Sequence, residues 1–229
     1  MKLFRKINKW FENQENLFYL FLAVLIVPNI VLCFTEPMPL VAKVCNVVLP
    51  FSIYYIVMSG SRNCGKTFWI LFPFLFFGAF QIVLLYLFGQ SIIAVDMFLN
   101  LVTTNSSEAL ELLDNLIPAI VIVVLLYIPA LFLAAVSVAK KRKLPETFIH
   151  RERRRARIVM ILGVLSLGTA YLFDSRYELK SDLYPANVCY NIALAFQRTA
   201  QTQNYAKTSK DFTFQAKATH PEENREVYV

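Results

Sequence analysis

The chain has 229 residues and a formal net charge of +7; 57% of its residues are hydrophobic, and it contains 20 Phe but only 6 Gly. This composition is typical of an integral membrane protein and excludes a soluble globular domain. Lys and Arg lie mainly in short segments between apolar runs, so the positive charge indicates membrane topology and excludes a nucleic-acid-binding surface.

Five apolar segments are long enough to cross a bilayer as helices, which requires about 20 residues each. The first is predicted to be an uncleaved signal anchor, because no small-x-small cleavage site precedes "TEPMP". The sequence therefore predicts an all-α membrane protein, with a five-span transmembrane domain over residues 1–173 and a tail over residues 174–229. The predicted spans are Leu17–Phe34, Leu40–Met58, Thr67–Gly89, Ile117–Ala139 and the shorter Ile158–Phe173.

The segments between these spans differ in charge. Lys and Arg are concentrated in the N-terminal arm, in the second loop and in residues 140–157, which contain nine of them, whereas the first loop and residues 90–116 contain none. Because cytoplasmic loops retain positive charge, the N-terminus and the basic loop 140–157 are predicted to be cytoplasmic. The basic loop is then expected to lie on anionic lipid headgroups. Residues 90–116 and the chain after about Asp174 are predicted to lie on the outer side.

The second loop contains "GSRNCGKT", residues 60–67, which satisfies the phosphate-loop template G-x-x-x-x-G-K-[ST]. That template needs a preceding strand and an α/β domain around it. Apolar spans flank the motif here and leave no room for a sheet, so nucleotide binding is rejected. Instead, Gly60 is predicted to end the second helix and Thr67 to begin the third, while Arg62 and Lys66 hold the loop on the cytoplasmic side.

Four cysteines are present, and their spacing is not typical of a metal site. Cys33 and Cys45 both lie near the predicted outer face. One alternative is a disulfide between them, and the other is that both pack as small apolar residues between helices.

The predicted outer loop, residues 90–116, is amphipathic. Ser91 to Leu116 is predicted to form one or two helices at the membrane surface. Asn100, Thr104 and Glu108 recur every four residues, so on a helix they would form one ladder about 12 Å long. An amide, a hydroxyl and a carboxylate on one face can bind a polar or cationic headgroup. The alternative is that Asn105 and Glu108 form a capping box on a solvated face.

The tail begins with a second amphipathic segment. Asn187 to Arg198 follows Pro185 and places Val188, Ile192 and Phe196 on one stripe, as a helix would. Residues Thr199 to Asn224 are rich in Thr, Gln, Lys and Asn and are predicted to form an irregular linker.

The segment "NLVTTNSSEALELL" resembles the N-x-x-x-T-N-x-x-E-A element of the lipid A phosphoethanolamine transferases, the family that includes the mobile colistin-resistance enzymes. The resemblance extends to the five-span plan, the long outer loop and the outer segment "YPANVCYNIALAF", and so covers essentially the whole chain. It implies that Asn100, Thr104 and Glu108 bind the phosphoethanolamine group of the donor. It also implies a bacterial inner-membrane protein that modifies lipopolysaccharide and confers polymyxin resistance.

Members of this family continue into a periplasmic catalytic domain of the alkaline-phosphatase and sulfatase type. The resemblance implies that this domain supplies a Thr nucleophile and a zinc ion, and that phosphoethanolamine moves from phosphatidylethanolamine to a lipid A-type acceptor. In this chain Val227–Val229 look like the opening of a strand, and neither His150 nor His220 belongs to a recognisable zinc cluster. The chain is therefore expected to be a membrane domain that is inactive alone, tethered to its catalytic domain by the tail.

Two other classes remain open. A five-span transporter or channel subunit would be expected to place ionisable groups inside its spans, yet only Lys43 does so, near an outer end where it can reach the interface. A non-enzymatic membrane scaffold is the second alternative.

Overall fold

The computed structural model describes residues 9–88 and 106–209 of the chain. All regular secondary structure in this part is helical, which confirms the predicted all-α class. In chain order the helices are α1 (Gln14–Thr35), α2 (Leu40–Ser59), α3 (Cys64–Ile70), α4 (Phe72–Phe88), α5 (Ser106–Ala139), α6 (Glu146–Phe173), α7 (Leu179–Asp182) and α8 (Ala186–Ser209).

Four of the described helices are long and apolar enough to cross a membrane: α1, α2, the part of α5 from Ile117 to Ala139, and α6. Helices α3 and α4 meet the same criterion together, but they are bent by 60° where they join. They count as a fifth span only if the bent pair is one span. The chain is therefore a multi-pass membrane protein with four or five candidate spans in the part that the structure describes.

The predicted third span, Thr67–Gly89, is not one straight helix. Helix α3 ends at Ile70, and α4 begins at Phe72, immediately before Pro73. Pro73 has no N–H to donate to the Trp69 carbonyl, and its ring crowds that carbonyl, which disfavours a regular helix through this position. The chain therefore turns here, and α4 leaves at an angle to α3.

Helix α1 lies at the centre of the bundle and contacts α2, α3, α4 and α5. Its aromatic side chains form much of the core. Phe21 stacks on Phe68 with ring centroids 4.3 Å apart, and Phe18 meets Phe148 edge-on at 5.5 Å. Helix α5, in contrast, leaves apolar side chains such as Leu125 exposed. In a multi-pass membrane protein such a surface contacts lipid.

Two basic loops are bound to each other at one end of the bundle. Arg62 Nε donates to the Leu144 carbonyl oxygen at 3.1 Å, and the Leu144 N–H donates to the Arg62 oxygen at 2.8 Å. The Arg62 guanidinium also pairs with Glu146, the first residue of α6. Arg142 donates to the Glu12 carbonyl oxygen at 3.3 Å, which brings the N-terminal segment to the same place. We call this the basic end of the bundle.

The motif GSRNCGKT lies at the basic end, between two helices. The prediction that Gly60 ends the second helix is confirmed, because Gly60 is the C-cap of α2. The prediction that Thr67 begins the third helix is wrong. Asn63 Oδ1 accepts a hydrogen bond from the Lys66 N–H at 2.9 Å and caps α3 one turn earlier. The side chain of Asn63, which the template leaves unspecified, therefore stabilises a helix start here.

Two glycines allow close contact between helices. A Cβ on Gly65 would lie 2.6 Å from the Ala134 carbonyl oxygen of α5. A Cβ on Gly163 would lie 2.5 Å from Ser52 Oγ and 3.4 Å from the Leu49 Cα of α2. Small residues let membrane helices approach in this way, and α2 and α6 form the most extensive helix pair in the described structure.

We expect Gly163→Leu to destabilise the α2–α6 pair. Added side-chain volume in a packed interface typically costs about 1–3 kcal/mol. Gly168 lies on the same helix, but nothing lies within 4 Å of the position a Cβ would take there. Gly168→Leu is therefore the matched control, and it should retain the wild-type Tm. Thermal unfolding of both variants in detergent tests the prediction, and equal Tm values would contradict it.

Residues 140–157, predicted to be a basic loop, are mostly helical. Only residues 140–145 connect α5 to α6. In the first turns of α6 Phe148, Ile149, Glu152 and Ala156 are buried, at spacings that place them on one helical face. The arginines between them are exposed. The basic segment therefore extends the last span and does not form a separate loop.

The tail forms a longer helix than the sequence predicts. The predicted irregular linker Thr199–Asn224 is wrong for residues 199–209, which continue α8; its remainder lies outside the described residues. Of the predicted apolar stripe, Val188 is buried, Ile192 packs against the same cluster and Phe196 is exposed. Only the first part of the stripe therefore contacts the bundle.

Candidate functional site

The predicted headgroup ladder lies only partly within the described structure. Asn100 and Thr104 are outside the described residues, and Glu108 lies near the beginning of α5, which runs unbroken past Pro118 to Ala139. At 1.5 Å per residue, Glu108 is about 46 Å along the helix axis from Ala139. Glu108 is therefore at the opposite end of the bundle from the basic loops. The ladder itself stays a prediction.

Two described segments meet at this opposite end: the turn between α1 and α2, and the chain that follows α6. They surround a cavity of about 530 Å³, which we call the polar cavity. Because α6 begins at the basic end and has 28 residues, its C-terminus lies about 40 Å away from that end. The residues that line the polar cavity are Pro37, Met38, Pro39, Ala42, Phe173, Asp174, Ser175, Arg176, Tyr177 and Asp182.

Charged groups of both signs line the polar cavity. Asp174 Oδ1 accepts a hydrogen bond from the Arg176 N–H at 3.1 Å, and Asp182 Oδ2 accepts one from the Glu178 N–H at 2.7 Å. Among the described residues, the other oxygen of each carboxylate has no hydrogen-bond partner and can accept from a ligand. The Arg176 guanidinium forms no ion pair with a carboxylate in the described ranges. The cavity therefore offers both a cation and carboxylates to a ligand.

Buried amides of the spanning helices hold the cavity wall in place. Asn29 Nδ2 of α1 donates to the Tyr184 carbonyl oxygen at 2.9 Å and to the Asn46 carbonyl oxygen at 2.8 Å. Asn46 Nδ2 of α2 donates to the Asp182 carbonyl oxygen at 2.7 Å. Both side chains are buried, where an unpaired amide would be costly. They therefore bind the segment after α6 to α1 and α2.

Two tyrosines of the same segment complete this hydrogen-bond network. The Tyr177 hydroxyl donates to Asn46 Oδ1 at 3.2 Å, and the Tyr184 hydroxyl donates to the Phe74 carbonyl oxygen at 2.9 Å. Burial raises the pKa of the Tyr177 phenol well above its ordinary value, and the nearby Cys45 thiol acts in the same direction. Burial also raises the pKa of Tyr184. Both phenols therefore remain neutral donors at physiological pH.

The two cysteines near the cavity are not joined. Cys33 and Cys45 are free thiols. Cys33 Sγ donates to the Lys43 carbonyl oxygen at 3.3 Å, while Cys45 is buried beside Tyr177. The alternative of a disulfide is therefore not realised, and the two residues pack between elements as small side chains.

The sequence signal for this site is the amide pair Asn29 and Asn46. Each stands in an otherwise apolar span, and a polar side chain within a span is retained only where it finds partners. That signal indicates a contact but cannot identify it, because the partners Asp182 and Tyr184 are more than 130 residues away along the chain.

No group of three or more His, Cys, Asp or Glu side chains within residues 9–88 and 106–209 is placed to hold a metal ion. The zinc ion that the family resemblance implies belongs to the periplasmic catalytic domain, so it stays a prediction.

Comparison with known protein families, characterised proteins and solved structures found no match to this chain. The resemblance to the phosphoethanolamine transferases therefore remains a prediction from motif and topology.

Proposed function

We propose that this chain is the membrane domain of a phosphoethanolamine transferase, which moves phosphoethanolamine from phosphatidylethanolamine to lipid A or a related envelope acceptor. The motif that contains Asn100, Thr104 and Glu108 supports this function. The structural observation that supports the proposal is the place of Glu108 on α5, before the candidate span Ile117–Ala139 and remote from the basic loops. Because basic loops favour the cytoplasmic side, the end of the bundle opposite to them is proposed to face the periplasm. A carboxylate that binds the headgroup of a lipid in the periplasmic leaflet must lie at that periplasmic end.

In this proposal the residues of the chain position the donor lipid. Glu108 attracts the ammonium of phosphatidylethanolamine, and Thr104 and Asn100 hydrogen-bond its headgroup. Holding the donor in one orientation lowers the entropic cost of the transfer step. Bond making and breaking belong to the periplasmic catalytic domain that the resemblance implies, since neither its nucleophile nor its zinc ligands are assigned to residues of this chain.

The proposed location is the bacterial inner membrane, with a cytoplasmic N-terminus and a periplasmic tail. The basic end supports this orientation. Arg62 and Arg142 bring the second loop, the α5–α6 connection and the N-terminal segment together. Because Lys and Arg near spans favour the cytoplasmic side, a single face that collects three basic segments is expected to be cytoplasmic.

We expect cysteine labelling in spheroplasts to show this orientation. In a Cys189→Ser background, Ser106→Cys and Thr208→Cys should react with a membrane-impermeant thiol reagent, whereas Thr147→Cys should react only after the membrane is permeabilised. Removing Cys189 is necessary because it is exposed in the folded chain. The opposite labelling pattern would reverse the topology and place Glu108 on the cytoplasmic side.

In this proposal the membrane domain positions the donor lipid and the catalytic domain carries out the transfer. Comparing the full-length protein with residues 1–229 tests this assignment. Lipid A from cells that express the full-length protein should carry added phosphoethanolamine, measured by mass spectrometry. Purified residues 1–229 should show no transfer from phosphatidylethanolamine and no stoichiometric zinc. Transfer by residues 1–229 alone would show that the chemistry lies within the chain, and an unmodified lipid A with the full-length protein would contradict the proposed function.

A further inference from the structure

A second cavity lies close to the polar cavity and differs from it in chemistry. It has a volume of about 420 Å³, and its lining is almost wholly apolar. Ile53 and Val57 of α2 form one side, Phe74 of α4 forms another, and Leu183 and Pro185 close it from the tail. We call it the apolar groove. Ala42 of α2 lines the polar cavity, and Ile53 lies about 16 Å further along the helix, towards the basic end.

One short segment separates the two cavities. Helix α7 and its neighbours contribute Tyr177 and Asp182 to the polar cavity, and Leu179 and Leu183 to the apolar groove. Leu183 also packs in the same buried cluster as Tyr177 and as Ala42 of α2. Helix α7 has only four residues, a length of about 6 Å. A ligand with a polar head and an apolar chain could therefore occupy both cavities by passing over α7.

The groups that line the cavities match one class of amphiphile. A zwitterionic phospholipid carries a phosphate diester, an ammonium group and acyl chains. A guanidinium such as Arg176 can bind phosphate through two parallel hydrogen bonds. The carboxylate of Asp182 can pair with an ammonium, and the apolar groove can bury part of an acyl chain.

We propose that the polar cavity and the apolar groove together bind one zwitterionic phospholipid, with its headgroup between Arg176 and Asp182 and one acyl chain in the groove. This site is separate from the predicted donor residues Asn100, Thr104 and Glu108. It does not rest on the proposed function, because a lipid bound here would hold the segment after α6 against α2 whether or not the chain belongs to a transferase.

Native mass spectrometry of purified residues 1–229 with defined lipids tests the headgroup contacts. The wild-type chain should retain phosphatidylethanolamine better than phosphatidylglycerol, which has the phosphate but no ammonium. Arg176→Gln and Asp182→Asn should each weaken retention of phosphatidylethanolamine by about tenfold, as expected when a charge-assisted contact is lost. Lys207→Gln, which removes an exposed charge on α8 away from both cavities, should retain the lipid as the wild type does.

Equal retention of the two lipids by the wild-type chain would overturn the proposal, and so would unchanged retention by both cavity variants. These outcomes are independent of transferase activity. Because Glu108 is also proposed to bind the ammonium of phosphatidylethanolamine, the same measurements are made in a Glu108→Gln background, where the variants of Arg176 and Asp182 report on this site alone.

The proposed binding of an acyl chain in the apolar groove is tested at Cys189, an exposed residue that lines the groove. Cys189→Trp should fill the groove and weaken lipid retention at least about fivefold, while Gln197→Trp, at an exposed position of α8 outside the groove, should not. In the wild-type chain, phosphatidylethanolamine should slow maleimide reaction at Cys189, and in Arg176→Gln about tenfold more lipid should be needed for the same protection. Normal retention by folded Cys189→Trp, or no protection of Cys189, would overturn the assignment of the acyl chain.

Discussion

Under the proposed transferase function, Glu108→Gln in the full-length protein should lower kcat/KM for phosphoethanolamine transfer at least about tenfold. The substitution keeps the size and much of the capping capacity of the side chain but removes its charge. A hydrogen bond to a charged group is typically worth about 1.5–3 kcal/mol, and an interaction that positions the donor appears in kcat/KM. Expression level and Tm should be unchanged, because a helix cap is preserved.

Two further variants distinguish a loss of headgroup binding from a general effect of changing this part of the chain. Thr104→Val is nearly isosteric and should also reduce transfer, because it removes a hydroxyl. Asp114→Asn removes a charge from the same helix, six residues after Glu108 and so on another face, and it should leave transfer unchanged. If Glu108→Gln and Thr104→Val insert, fold and transfer at wild-type rates, the headgroup assignment should be abandoned in favour of the capping alternative.

Glu152→Ala should lower the free energy of unfolding by about 1–3 kcal/mol, the usual cost of leaving a buried hydrogen-bonding group without its partner. Glu152 lies on α6 with its side chain fully buried. Its carboxylate accepts hydrogen bonds from the Tyr55 hydroxyl, from Arg151 Nε at 3.0 Å and from an Arg155 guanidinium nitrogen at 2.9 Å. The Ala variant leaves the Tyr55 hydroxyl of α2 without its partner, so α6 and α2 lose a polar contact inside their interface.

The matched control for this prediction is the exposed ion pair of the same helix. Glu146 pairs with Arg62, and both side chains are largely accessible, at 68% and 45%. Such pairs are typically worth about 0–1 kcal/mol. Glu146→Ala should therefore change the Tm in detergent much less than Glu152→Ala does, and Glu152→Gln should fall between them. Equal shifts for the two Ala variants would contradict a structural role for the buried carboxylate.

Local properties of the sequence determined the all-helical class and the approximate places of the candidate spans. Each span is defined by a continuous run of apolar residues, and hydrocarbon accepts a backbone only when its own hydrogen bonds are made within the segment. No tertiary contact is needed for that conclusion. Spacing and resemblance also predict that Asn100, Thr104 and Glu108 bind a headgroup, and the Glu108→Gln experiment tests that role.

Only the tertiary structure showed which prolines interrupt a helix. Pro28, Pro118 and Pro129 lie inside continuous helices, whereas Pro73 stands where α3 gives way to α4. All remove one backbone donor, so the sequence could not distinguish a tolerated proline from a break. Only the folded chain shows which of these positions interrupts its helix.

Burial of polar groups was likewise decided by the fold. Within "HRERRRAR", Glu152 looks like one more solvated charge, because the sequence cannot show that the surface opposite it belongs to α2. Asn29 and Asn46 obtain their partners from the chain beyond α6. A buried polar group is stable only beside a partner. Each of these three residues has a partner far along the chain, which for Glu152 is Tyr55, and only the folded bundle brings the two together.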